Sequence, residues 1–337
     1  MEDTVGCLGV IALAILLVIF SPLINFVFAF CKNWFSRILS GILLIAAGCN
    51  ILIANSDSVF LGIFAGVVVV TILAFMQGRL RYSSFAVFLL FVGNLVLGFI
   101  NKYGHTRYDK KRGGLAIALN RLDIAFVLCG AALLVFAVVC VCNWKLGTRV
   151  AAWNKKKIVL IVCGACVALG VIGIIVLAVT GSSLLTFNDK WGSYRGYIWR
   201  KIVEVYGDAP FVNKLFGYGN ESVRVTLKAA CYNEMVQVTG KVYDNAHNEL
   251  LQYLFTTGIV GLLSYLALVG SSIVYMFKHA KEHAWISVCL AATVGYFAQS
   301  ILNLNQPITT PLFFVFMAMG VGTVNYCRRV KELEKRA

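Results

Sequence analysis

Charge is scarce in this chain. Asp, Glu, Lys and Arg make up 13% of its 337 residues, where a soluble domain carries about 25%. That shortage excludes an ordinary water-soluble globule. Histidine is scarcer still, with four in all, so each can be weighed singly. The start, "MEDTVGCLGV", is acidic and lacks both the basic n-region and the small-residue cleavage site of a secretory leader. The first apolar run is therefore expected to stay in the protein. Cys163 and Cys166 form a C-x-x-C, "CGAC", but no second ligand pair accompanies it and it falls inside an apolar run. Small-residue helix packing is the simpler reading, ahead of metal or redox work. The eleven cysteines lie mostly in such runs, so no disulfide framework is implied.

Hydrocarbon is what the chain has instead. It is 60% hydrophobic with a mean hydropathy of +0.81. Nine apolar runs are read as membrane spans: 8–30, 38–54, 59–77, 83–101, 122–142, 158–180, 249–277, 285–303 and 309–326. About 20 residues of helix cross a ~30 Å hydrocarbon layer. Lipid cannot satisfy free backbone N–H and C=O groups, so helices are the expected form. The expected fold class is an all-α polytopic membrane protein: one integral membrane domain over residues 1–337 with about nine transmembrane helices.

The net charge of +15 follows this topology. With the tail "CRRVKELEKRA" taken as cytoplasmic, the inner segments collect Lys32, Arg37, Arg79, Arg81, Lys145, Arg149, Lys155 to Lys157, Lys278, Lys281 and the tail cations. Connections 55–58 and 304–308, on the outer side, hold none, as the positive-inside rule expects. Residues 102–121 break the pattern: this short outer segment carries Lys102, Arg107, Lys110, Lys111, Arg112 and Arg121. An anionic ligand at the outer membrane surface would account for them.

The connection 181–246, between the sixth and seventh spans, is the only long one. It holds eleven aromatics, eight basic and six acidic residues, a composition unlike disorder, and long connections in compact folds are commonly functional. Within it "RGYIWRKIVEVYG" has the spacing of a short amphipathic helix lying on a surface. Aromatic rings there suit an interfacial belt or the C–H faces of a sugar.

Three stretches then converge on that face: "KKRGGLAIAL" at 110–119; "WGSYRGYIW" at 191–199 with "LFGYGNES" at 215–222; and "DNAHNELLQYLFTTGIVGL" at 244–262. In this order, ahead of the last three spans, they resemble the O-antigen ligase and polymerase family of bacterial membrane glycosyltransferases. The matching positions are Arg112-Gly113-Gly114, Arg195 with Trp199, Gly217 and Gly219, His247-Asn248, and Gly258-Ile259 with Gly261-Leu262. The likeness covers roughly residues 60–325, and the His-Asn and G-I-x-G-L block is its most specific part. The family usually has more spans ahead of the long loop than the six counted here.

The resemblance implies a C-type glycosyltransferase-like fold in the bacterial cytoplasmic membrane, with its site on the extracytoplasmic face. It implies a polyprenyl-diphosphate-linked glycan donor of the undecaprenyl type and a hydroxyl acceptor on another glycan or glycolipid. Arg forks bind phosphate oxygens bidentately and stay protonated, so Arg112 and Arg195 are assigned to the diphosphate. Arg107, Lys111 and Arg200 are weaker candidates for the same grip. His247 is expected as the base that takes the acceptor's proton, since a helix N-terminus disfavours imidazolium. Asp244 or Asn245 is expected to cap that helix, and Asn248 or Glu249 to orient the ring. Trp199 and Tyr218 are further substrate-contact candidates. Gly258 and Gly261 are expected to let a neighbouring helix approach closely.

His279 and His283 lie in the inner turn "KHAKEH", and His105 sits among the outer cations. No metal cluster, nucleotide cradle or nucleic-acid patch is legible, so no cofactor is expected. Membrane lipid is the other expected partner, and nothing in the sequence fixes an oligomeric state. Two other classes compete. A lipid-linked oligosaccharide transporter or flippase would place ionisable groups or broken helices near the midplane, whereas here the ionisable groups gather at the outer rim. A non-catalytic scaffold of a polysaccharide assembly system would use the long connection as a partner surface.

Overall fold

The computed structural model describes residues 24, 26–30, 33–53, 57–103, 122–151, 158, 188–303 and 309–336. Among them there are helices and no strand. In chain order they are α1 (Trp34–Ile53), α2 (Asp57–Met76), α3 (Leu80–Tyr103), α4 (Leu122–Ala151), α5 (Trp191–Gly207), α6 (Phe211–Phe216), α7 (Ser222–Thr239), α8 (Glu249–His279), α9 (Ala284–Ser300) and α10 (Thr310–Glu334).

Seven of the nine expected spans coincide with α1 to α4 and α8 to α10. Of 8–30, only residues 24 and 26–30 are described. The span expected at 158–180, together with Cys163 and Cys166, lies outside the described residues. Five of the helices are long and apolar enough to cross a membrane: α2 from Ser58, Leu80–Ile100 of α3, Leu122–Trp144 of α4, α8 and α10. The apolar helices Trp34–Cys49 and Ala284–Ser300 are shorter. Phe126, Val127, Leu134, Val138 and Trp144 on α4 stand exposed, a surface that suits hydrocarbon and not water. The chain is a multi-pass membrane protein.

The helices form two compact units. The first holds residues up to Lys155, Ser272–Gln299 and the C-terminal segment. In it α1 and α3 cross where Gly48 faces Leu90 and Gly93 faces Ile45. A Cβ on either glycine would run into the opposing carbonyl, which is how small residues let membrane helices close up. The Cys49 thiol adds a bond to the Gly93 carbonyl at 3.1 Å. Later in the same unit Gly320 of α10 faces Met276 and Cys289, and Lys331 pairs with Glu282 at 3.0 Å.

The second unit holds α5 to α7, α8 as far as Ser271, and Ser300–Asn305. Its core is Tyr197, Ile198 and Ile202 of α5, Val223, Leu227 and Met235 of α7, then Tyr243, Ala246 and Phe255. These burials fix α5 and α7 against the head of α8.

α8 is not one continuous rod. At Gly258 the backbone leaves helical space (φ 67°, ψ −172°), a region essentially reserved for glycine. The break frees carbonyls that would otherwise bond residues four further on. They are taken up by the end of α6: Tyr218 N–H donates to Phe255 O and Gly219 N–H to Thr256 O, both at 2.9 Å. Gly217 shares the same unusual conformation (φ 76°, ψ −170°). A Cβ there would strike the Thr256 and Thr257 backbone, and one on Gly258 would strike Leu215 and Phe216. Tyr206 secures the seam from α5, donating to the Lys214 carbonyl at 2.6 Å with the Ile259 N–H at its hydroxyl. Gly258 thus admits a close neighbour, as expected: the last residues of the short helix α6, Leu215 and Phe216, with the turn 217–219 that follows them. At Gly261 the nearest atoms are those of the Thr257 side chain in its own helix.

Gly258→Ala combines a forbidden φ with a backbone collision and is expected to destabilise the protein by about 3 kcal/mol or more. Gly270→Ala, in the same helix with open space at its Cβ, is expected to shift stability by less than about 1 kcal/mol. Thermal unfolding of the two variants in lipid nanodiscs checks the contrast; equal midpoints would refute the role given to Gly258.

Candidate active site

The segment 188–199 folds back on itself before α5 becomes regular. Asn188 accepts from the Trp191 N–H through its carbonyl at 3.0 Å and from the Lys190 N–H through its side chain at 3.1 Å. Gly192 (φ 57°) and Tyr194 (φ 72°) are both left-handed. Gly196 is packed so closely that a Cβ would meet the Asn188 carbonyl. Arg195 sits between these constraints, its turn pinned from below by the buried Tyr197 and Ile198. One turn on, the Trp199 indole N–H donates to the Ala246 carbonyl at 2.8 Å. That bond ties α5 to the residue before His247. The Trp191 and Trp199 rings meet at 5.2 Å and 56°.

The connection from α7 to α8 is held by its own side chains. The Asn245 side-chain oxygen accepts the His247 N–H at 3.0 Å, an Asx turn that steadies His247 in left-handed space (φ 48°). The Asn248 side-chain oxygen accepts the Leu251 N–H at 3.0 Å, and the Gln252 side chain reaches back to the Ala246 N–H at 2.9 Å. The cap of α8 is therefore Asn248, not Asp244 or Asn245 as expected. Gln252 supplies the return half of a capping arrangement. His247 thus stands one residue before the cap, at the positive end of α8.

The imidazole is half-buried. Its Nδ1 is shielded from solvent and has no hydrogen-bond partner among the described residues. The Tyr243 ring meets it edge-on at 5.7 Å and 80°. Burial, then the positive charges of Arg195 and Lys241, depress its pKa from 6.5 to about 4, with Asp244 opposing. The ring is neutral at physiological pH. Burial likewise pushes the Tyr243 hydroxyl up, with Arg195 acting against it.

The other expected residues divide sharply. Glu249 is fully buried, and its carboxyl lies against the Ser300 and Tyr265 hydroxyls. Arg200 is engaged by carboxylates: Asp189 at 3.0 and 2.9 Å and Glu204 at 2.8 Å. Lys201 bridges Glu204 and Glu234 at 2.9 Å each. Tyr218 stacks on Phe255 at 4.9 Å and belongs to the α8 seam. Arg107, Lys111, Arg112 and His105 lie outside the described residues. Among the described residues no group of His, Cys, Asp and Glu is arranged to hold a metal ion.

Lys241 and Tyr243 were missed by sequence reasoning. The signal was present in "GKVYDNAH", where a lysine and a tyrosine precede the histidine by six and four residues. A stretch free of regular structure gives no periodicity from which to infer that they meet it.

The arrangement is that of a polytopic membrane protein holding a neutral histidine beside cations where a span begins. Residues 112–266 match the family described as O-antigen ligase. Through this stretch, a little under half of its length, the chain is similar to that family, and the likeness supports glycan transfer of that type in general terms. No curated protein matches the chain.

The sign of the pH dependence follows from the depressed pKa. Above pH 6.5 the His247 ring is neutral in both folded and unfolded chains. Between 6.5 and about 4 the unfolded chain takes up a proton that the folded one refuses, so acidification through that window removes stability. Diethyl pyrocarbonate labels neutral imidazole; followed by mass spectrometry against pH, His247 should show a midpoint near 4. Arg195→Gln should raise that midpoint and Asp244→Asn lower it. Midpoints near 6.5 in all three proteins would refute the assigned electrostatics.

Proposed function

We propose that this protein transfers a glycan from an undecaprenyl-diphosphate-type lipid to a hydroxyl of an acceptor glycan or glycolipid, without a metal, at the outer face of the bacterial cytoplasmic membrane. The observation that carries the reading is the neutral, half-buried imidazole of His247 held within the field of Arg195. Arg195, with Arg112, holds the diphosphate. The sugar C1–O bond to phosphate breaks as the acceptor oxygen bonds to C1, and the acceptor's proton passes to the imidazole. The electron pair of the broken bond leaves on the lipid diphosphate, whose added negative charge the arginines meet; positioned charge of this kind is commonly the largest catalytic contribution.

A histidine with so low a pKa is a weak base in the empty site. The donor corrects this, because a diphosphate beside Arg195 offsets the positive field and adds a negative one, raising the ring's proton affinity. Base strength then appears only with donor in place. The Trp191–Trp199 pair, joined to Ala246, offers rings for a sugar face. The C-terminal tail lies in the cytoplasm in this reading.

One feature favours a transporter of lipid-linked oligosaccharide instead: the break in α8 at Gly258, since discontinuous helices mark many transport sites. Here the freed Phe255 and Thr256 carbonyls are already bonded by Tyr218 and Gly219, so the break supports a structural seam better than a passing substrate.

His247→Ala should lower transfer by about 10²- to 10⁴-fold with lipid-linked donor accumulating on the outer leaflet. Arg195→Gln should do the same, with partial recovery in Arg195→Lys. Transfer is read from product glycans and the donor's leaflet by its access to an impermeant glycosidase. Donor trapped inside would establish the transporter reading; unchanged glycans in His247→Ala would leave a scaffold.

A further inference from the structure

Two described cations of the second unit, Arg200 and Lys201, contrast with a third, Lys241. Arg200 and Lys201 are neutralised by Asp189, Glu204 and Glu234. Lys241 makes no ion pair among the described residues, although it is exposed and carboxylates are plentiful nearby in sequence. An aromatic ring holds it instead. Its ammonium lies 4.6 Å from the centroid of Tyr243, a cation–π contact, and that ring is the one that meets His247 edge-on.

The backbone beneath it is also fixed. Gly240 closes α7 in left-handed space (φ 73°), its N–H on the Val236 carbonyl. The Thr239 hydroxyl lies 2.8 Å from the Lys241 carbonyl and 3.3 Å from its N–H. Tyr243 is itself buried in the core of the unit. Lys241 is therefore a positioned lysine at an exposed site, held without a carboxylate that a ligand would have to displace. Its charge reaches the imidazole, as that of Arg195 does.

We infer that Lys241 is a further cationic anchor for the donor's diphosphate, acting from the α7–α8 connection beside Arg195 on α5 and the Arg112 already proposed. This rests on the reading of a diphosphate-linked donor given above. The chemistry separates the two roles. Arg presents a planar fork suited to one fixed bidentate contact, whereas Lys is a compact charge with three rotatable donors on a flexible stem. Two phosphates joined by a bridging oxygen span more than one such contact. Cations on separate elements favour a diphosphate over a monophosphate, because the longer anion offers oxygens to more of them.

The test uses the full chain in lipid nanodiscs, with farnesyl diphosphate and farnesyl monophosphate as probes and calorimetric binding as the readout. Lys241→Gln should weaken diphosphate binding about tenfold, the scale of one lost charge-assisted contact. Monophosphate binding should change much less, so the preference between the probes collapses. Lys241→Arg should restore the preference in large part. Lys228→Gln is the control: Lys228 sits over Tyr232 at 5.7 Å on α7, the same kind of pair without the link to His247. It should bind both probes as the parent does. Undiminished preference for diphosphate in Lys241→Gln, or equal losses in Lys241→Gln and Lys228→Gln, would overturn the assignment of Lys241 while leaving Arg195 and the donor reading intact. Absence of any diphosphate preference in the parent chain would overturn both.

Discussion

Hydrocarbon offers no partner to a peptide carbonyl, and the second unit of this protein is built around one place where that rule is met by another part of the chain. At Gly258 a membrane-length helix is interrupted, and the carbonyls of Phe255 and Thr256 are received by two amide groups of the turn 217–219. Glycine on both sides makes the approach possible. The rest of the unit depends on this seam, because it sets where the first turns of α8 stand relative to α5 and α7. Those first turns carry the histidine.

Position and charge then act together. The Asx turn of Asn245, the cap of Asn248 and the return bond of Gln252 leave the backbone at His247 little freedom. Trp199 links the same loop to α5, so Arg195 and His247 belong to one braced structure. Glu204 and Glu234 quench Arg200 and Lys201, while Asp244 only partly offsets the cations at His247. The cations that act on the imidazole come from elsewhere, and the local field stays positive. A positive field beside an uncharged ring is what an incoming polyanion can reverse.

Much of this was legible in advance. Apolar runs of about 20 residues leave few alternatives in lipid, and the helices at 34–53, 57–76, 80–103, 122–151, 249–279, 284–300 and 310–334 follow them to within a few residues at most ends. The three motif stretches were legible because glycine, arginine and histidine are conspicuous against hydrocarbon. The wiring was not. Asx and capping bonds compete among Asp244, Asn245 and Asn248, all able to do either job, and only the path of the chain decides. The engagement of Arg200, a weaker candidate, was hidden because ion pairing is a property of folded neighbours: Asp189 and Glu204 lie eleven and four residues away. Lys241 was overlooked for the converse reason, being held by a ring and not by a periodic pattern. The break at Gly258 hid inside an apolar run that reads as one uninterrupted span.

Three residues other than glycine adopt left-handed backbone among those described: Tyr194, Glu221 and His247. One falls in each of the three motif segments of the second unit. Each such conformation costs on the order of 1 kcal/mol or more relative to glycine, and the chain retains bulky or functional side chains at all three. Anyone seeking a hardier version of this protein would find the simplest gains at these positions, since glycine or asparagine relaxes them. At 194 and 247 the same exchange would remove a ring from beside Arg195 or the imidazole itself. Durability and turnover are thus set against each other at the level of single torsion angles.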